Sequence, residues 1–278
     1  MSPRKAVNLE AAPTDVASVA YSTVADPNTI GTIAIVTRDH LAAAAAMSLL
    51  MVDYSWVPKG KNICRIIITG GILTMQRNEA IQRMQGDWLL FIDDDMVFEP
   101  DAVGRLVGAQ QEHDLDIVGA LCFRRQPPHQ PTLYMRENPT SGGYNFLEDW
   151  DEGLVEVDAT GMAFCLITRR AIETMAGSPM PSYDDRISRR PPPFFEWNNI
   201  LGEDLSFCQD AKKAGLRIWV DTRVEIGHVA EFTVDKTWYW REIALRGDEI
   251  EEYRRELNSN MGLPTLTADT AKERLGWR

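Results

Sequence analysis

The chain reads as a doubly wound, Rossmann-like α/β protein, and three observations lead there. Apolar β-rich runs alternate with helical patterns over roughly the first 120 residues, the order expected when helices cover both faces of a mostly parallel sheet. Trp88-Leu89-Leu90-Phe91-Ile92 is apolar without interruption, as in a strand buried on both faces. That strand runs straight into Asp93-Asp94-Asp95, placing three carboxylates at the sheet edge where open α/β folds bind ligands.

Taken in order, residues 1–28 hold Pro3, Pro13 and Pro27 without apolar periodicity and are expected to form a flexible arm. Gly31–Val36 is a first strand, leading into Thr37-Arg38-Asp39 and a helix from Leu41 to Asp53. Asn62–Thr69 is a second strand, stopped by Gly70-Gly71. Leu73, Ala80, Ile81 and Met84 fall at helical spacing and carry Arg77 and Asn78 on a helix closed by Gly86. After the Asp-tipped strand, Ala102, Val103, Leu106 and Val107 mark one face of a further helix, and Asp116–Leu121 another buried strand.

From Phe123 to Gly153 the chain is rich in Pro, polar and aromatic residues and reads as loops and short hairpins. Leu154–Val157 and Met162–Thr168 are strand candidates flanking Thr160-Gly161, and Arg169–Met175 is a short helix. Gly177–Pro193 carries five prolines and three arginines; it is expected to lack regular structure and to act either as an inert surface loop or as a lid that orders on binding. A helix through Leu205, Cys208, Ala211 and Lys212 ends at Gly215. Ile218–Val220 and Val224–Ile226 are two short strands, the second leading to Gly227-His228. The expected organisation is an arm over 1–28, a main α/β domain over 29–232 (halves 29–121 and 122–232), and a helical extension over 233–278.

Composition narrows the function. Hydrophobic content of 44% with 25% charged residues is ordinary for a globular protein. A formal net charge of −12 argues against broad binding to nucleic acid or anionic membrane. It leaves room for an anionic ligand held through a divalent cation. Cys64, Cys122, Cys165 and Cys208 lack C-x-x-C spacing and read as reduced core residues of a cytoplasmic protein. The apolar run Leu41–Val52 is too short to span a bilayer, and the first residues show no signal-peptide pattern.

Clustered carboxylates at a strand end repel one another and resist desolvation, so a metal site fits better there than a solvated acidic turn. The ordered set Arg77-Asn78-Glu79-Ala80, Gly86-Asp87, Phe91-Ile92-Asp93-Asp94-Asp95 and Pro100-Asp101-Ala102 resembles the nucleotide-sugar half of GT-A glycosyltransferases, especially the large family 2. Gly161-Met162, Gly202-Glu203-Asp204-Leu205-Ser206-Phe207 and Ala214-Gly215-Leu216-Arg217-Ile218 resemble the acceptor half. The resemblance covers roughly residues 31–230.

It implies a GT-A fold with a doubly wound mixed sheet, and transfer of a sugar from a nucleotide diphosphate to a hydroxyl on a glycan, protein or small molecule. Asp95 would hold Mn²⁺ or Mg²⁺, with Asp93 contacting the ribose or sharing the metal and Asp94 between them. Arg77 would lie near the nucleotide. Thr37, Arg38 and Asp39 stand where the family binds the base, without its usual Pro-and-Asn form. Asp204 would be the base of an inverting reaction and Glu203 would hold hydroxyls, although acids in a first helical turn are also favoured by the dipole alone. His228 is either a third metal ligand or a structural histidine; the first is frequent in retaining members, in which Asp204 would orient instead. Gly161, Met162 and Trp197 would face the acceptor, and Tyr183 and Phe195 could stack on sugars or pack inside.

Two rival classes share the motif. Asp93-Asp94-Asp95-Met96-Val97 also satisfies the nucleophile loop of haloacid-dehalogenase-like phosphatases, with Asp93 phosphorylated and Asp95 the acid/base. There the motif ends the first strand, whereas two strands precede it here. A non-catalytic relative that binds nucleotide or carbohydrate is the other.

Overall fold

The structure is a computed structural model and describes residues 25–126, 128–136, 143–187, 193–198, 201–230, 235–246, 255 and 267–277. It divides into two compact units, 1–229 and 230–278. The arm expected over 1–28 lies almost wholly outside the described residues.

In the first unit the main sheet runs β2 (Asn62–Thr69), β1 (Thr29–Thr37), β3 (Trp88–Asp93), β10 (Phe164–Thr168), β5 (Ile117–Cys122), β11 (Ile218–His228) and β4 (Met96–Val97), with β8 (Leu154–Val157) also on β11. β1 pairs parallel with β2 and β3, and β5 with β11, while β10 runs antiparallel between β3 and β5. The result is a mostly parallel mixed sheet of the GT-A kind.

The apolar run of β3 explains the layering. Successive side chains of a strand point to opposite faces, and here Leu89 and Phe91 enter one buried cluster while Trp88, Leu90 and Ile92 enter another. α2 (Leu73–Arg83), α4 (Arg169–Ala176) and α6 (Glu203–Lys213) cover the first face, giving Ala80, Ile81, Ala171, Ile172, Phe207 and Cys208 to its core. α3 (Ala102–Glu112) covers the second with Val103, Leu106 and Val107, beside residues flanking α1 (Ala43–Leu50). Gly86 has φ of 75°, and a Cβ there would lie 2.3 Å from the backbone of Ile30 and Gly31. Only glycine allows that turn to close so tightly against β1.

A second sheet of β6 (Leu133–Arg136), β7 (Tyr144–Phe146) and β9 (Ala159–Thr160), in the order β7-β6-β9, accounts for the hairpins expected after Phe123. Two expectations are corrected. Within Gly177–Pro193, Tyr183–Ile187 forms a helical turn, α5, which the proline count conceals because all five prolines lie outside it; residues 188–192 are outside the described set. The two short strands near the end are one strand, β11, carrying an irregularity between Asp221 and Glu225 in its pairing with β5. In the second unit residues 236–246 are helical, Ala268–Leu275 forms another helix, and Ile243, Ala244 and Ala271 are its buried core. No described helix is long and apolar enough to cross a membrane.

Candidate active site

The sheet topology delivers the acidic residues to one edge. β1 lies parallel to β3 with Val36 opposite Asp93, so Thr37–Asp39 leave the sheet beside Asp93–Asp95. Thr37 is buried and donates its Oγ1 hydrogen to the His40 carbonyl at 3.0 Å, while Arg38 and Asp39 are exposed. The Asp94 carbonyl accepts from Ala42 N at 2.9 Å, fixing the approach to α1.

Arg77, from the middle of α2, is only 2% exposed. Its Nη2 is 3.2 Å from Asp93 Oδ1, its Nε is 3.6 Å from Glu203 Oε1, and its Nη1 donates to the Met162 carbonyl at 3.1 Å. The guanidinium carbon lies 5.4 Å from the Phe91 ring centre and 5.9 Å from that of Phe195. One side chain therefore gathers residues that the sequence assigned separately to donor, catalysis and acceptor. Burial pushes the Asp93 carboxyl up, with Arg77 opposing and Asp95 and Asp94 adding to the rise. Burial likewise raises Glu203, again against Arg77. Glu203 and Asp204 form the first turn of α6 after Gly202, and Asp204 Oδ1 accepts from Leu205 N at 2.8 Å. Asp204 stays partly exposed where Glu203 is buried.

Asp95 faces the other way. Its Oδ2 lies 3.0 Å from His228 Nε2 and 2.8 Å from Arg125 Nη1. His228 Nδ1 is 2.9 Å from the Phe123 carbonyl, a contact that orients the ring and turns Nε2 to the carboxylate. Burial lowers the affinity of His228 for its proton, but the Asp95 and Phe123 contacts outweigh it and the net shift is upward. Asp93 turns to Arg77 instead, and among the described residues no three His, Cys, Asp or Glu side chains gather as a cation cage. A hard cation bound to a diphosphate takes much of its coordination from phosphate and water, so the Asp95–His228 pair fits as a two-ligand platform.

The remaining expected residues divide. Met162 is buried and presents its carbonyl to Arg77, with Gly161 beside it. Trp197 is 68% exposed. Phe195 is core rather than a free stacking surface: its ring stacks on Phe207 at 4.5 Å and meets Phe91 edge-on at 5.5 Å. Tyr183 lies 5.8 Å beneath the Arg186 guanidinium. Arg125 and Tyr134 escaped the sequence reading. Arg125 follows β5 at the same sheet edge as Asp95, a position that topology could have flagged. Tyr134, pushed up to about 12 by burial and by the charge of Asp204, sits on a short strand with no motif.

Comparison with known proteins bears on the cluster. Residues 70–176 match the model of glycosyl transferase family 2. Over that stretch the chain is similar to family 2 glycosyltransferases. The family 2 segment contains Arg77, Asp93–Asp95 and Met162 and stops short of Glu203, Asp204 and His228. It supports a glycosyltransferase-type activity. The crystal structure of A197 from STIV aligns over 72% of this chain and 86% of that one, at 18% identity and a TM-score of 0.47. A search of curated proteins gave no match.

Proposed function

We propose that the protein is a metal-dependent glycosyltransferase that moves a sugar from a nucleotide diphosphate to an acceptor hydroxyl with inversion. The observation that carries this reading is the Arg77 cluster, which unites the Asp-rich strand end with the first turn of α6. Asp95 and His228 would hold Mn²⁺ or Mg²⁺, which when bound neutralises charge on the departing diphosphate. Asp93, fixed by Arg77, faces the donor, with Thr37, Arg38, Asp39 and Asp94 lining the adjoining edge. Asp204 is partly exposed and takes the acceptor proton as the hydroxyl oxygen attacks. Glu203, held beside Arg77, can accept a hydrogen bond from a sugar hydroxyl. Gly161, Met162 and Trp197 mark the acceptor side.

The phosphatase alternative would need Asp93 free to attack phosphorus, whereas its carboxylate is paired with Arg77. The deciding experiment is a thermal-shift panel of nucleoside diphosphates and sugar nucleotides, with and without Mn²⁺, on wild type and Asp95→Ala. Metal-dependent stabilisation by one nucleotide, lost in the variant, supports the reading and identifies the base. No shift with any nucleotide rejects it.

A further inference from the structure

On the sheet face covered by α2 and α4, a cavity of about 240 Å³ opens between those helices and the segment around α5. Ile81, Ile172, Pro179, Met180 and Phe194 make its walls largely apolar, and Arg186 lines it as well. Arg186 is 8% exposed; its Nη2 donates to the Met84 carbonyl at 2.6 Å, its Nη1 contacts the Met180 sulfur, and its Nε is buried without a hydrogen-bond partner. A second guanidinium, Arg169, reaches the same sulfur at 3.2 Å and the Gly86 carbonyl at 3.0 Å.

Neither arginine forms an ion pair among the described residues. Glu173, the acid that lines the cavity, is engaged by Met180 N at 2.9 Å. Burial first, then the neighbouring charge of Arg169, lowers Arg186 to about 10 against the opposing charge of Glu173, so it still carries its charge at neutral pH. A buried guanidinium held by one carbonyl, a thioether and the face of the Tyr183 ring, with no carboxylate in ion-pair contact, is costly. Its fork is shaped for carboxylate or phosphate oxygens.

We propose that this cavity is a second small-molecule site, one that takes a carboxylate or phosphate monoester borne on a single ring or short aliphatic body, with Arg186 as the anion contact. The cavity is smaller than the roughly 300–1,000 Å³ that holds drug-sized ligands, so a sugar nucleotide does not fit. Apolar walls take the body of the ligand, and the Arg186 guanidinium, which lines the cavity, takes the anion.

The test is calorimetric titration of the full chain, without nucleotide or metal, using benzoate, phenyl phosphate and neutral benzyl alcohol. Wild type is compared with Arg186→Met and with Ala176→Phe, which fills the mouth from an exposed position at the end of α4. One anion should bind at a single site at least about tenfold more tightly than benzyl alcohol, and both variants should weaken it by about tenfold or more. Preference for benzoate or for phenyl phosphate tells carboxylate from phosphate. The proposal is overturned if neither anion binds, if the alcohol binds equally well, or if Ala176→Phe keeps wild-type affinity; the last two comparisons decide even if Arg186→Met does not fold. Because donor and metal are left out, the result is independent of the glycosyltransferase reading.

Discussion

The Arg77 guanidinium stands between the carboxylates of Asp93 and Glu203, 3.2 Å from one and 3.6 Å from the other, and so ties the end of β3 to the start of α6. All three groups are largely buried, and removing the shared cation would leave two acids without compensation. Arg77→Met should therefore lower stability by about 3–5 kcal/mol, the usual cost of breaking a buried pair from one side. Glu203→Gln should cost less and should recover part of the loss when combined with Arg77→Met. Urea denaturation of the three variants measures both; a double variant whose losses simply add would show that the groups are not coupled.

Asp204 offers a cleaner test of chemistry because it lies at the surface of the same cluster. Asp204→Asn keeps the shape and the acceptor for Leu205 N but cannot take a proton. Transfer should fall about 10²–10⁴-fold, the range for loss of a general base, while nucleotide binding and melting temperature stay near wild type. Full activity in the variant would remove Asp204 from the role of base and point to an orienting residue.

The Asp95–His228 pair predicts the metal dependence. His228→Ala removes the nitrogen that Phe123 orients, so the Mn²⁺ concentration giving half-maximal nucleotide stabilisation should rise at least about 10–100-fold, as even indirect metal-site changes do. Chelation with EDTA should erase the nucleotide shift in wild type. A variant with unchanged Mn²⁺ dependence would return His228 to a structural role.

These relationships mark what was readable in the chain. Runs of β-branched and apolar residues mark the strands: Asn62–Thr69 and Leu154–Val157 have the limits expected, and β3 differs by one residue because Asp93 still pairs with Val36. Asp93, Asp95, Glu203 and His228 stand out because charge at a strand end or helix start is conspicuous. Their partners do not. Nothing local says that Arg77 will turn to Glu203 or that Arg125 will reach Asp95, since both contacts depend on how distant segments cross. Asn78 is another case: its amide brackets Phe195, donating to the carbonyl and accepting from the nitrogen, each at 2.8 Å. The continuity of β11 across Asp221–Arg223 has a related cause. Asp221 and Arg223 interrupt the apolar pattern, and Asp is a poor strand former, yet bonds from Thr222 to Asp151 and Gly153 and from Arg223 to Asp221 hold the segment in line.

Asp221 shows how, and it supplies a pH-dependent prediction. Its side chain is 3% exposed, and Arg223 grips it with Nε on Oδ1 and Nη2 on Oδ2, both at 2.8 Å, while Arg223 N adds a bond to Oδ1 at 3.1 Å. Burial alone would raise this carboxyl, but the bonds from Arg223 outweigh it and hold it below the ordinary value. A folded-state value below the unfolded one means that the charged form stabilises the fold. The contribution is complete above the unfolded value of about 3.9 and is lost as pH falls through the folded one. Arg223 is 46% exposed, so solvent weakens the pair, and Asp221→Asn should cost only about 1–2 kcal/mol at neutral pH. Measured by denaturation across pH, the gap between wild type and variant should narrow below about pH 4. A gap that stays constant down to pH 2 would mean that the charge of Asp221 contributes nothing and that shape alone keeps β11 continuous.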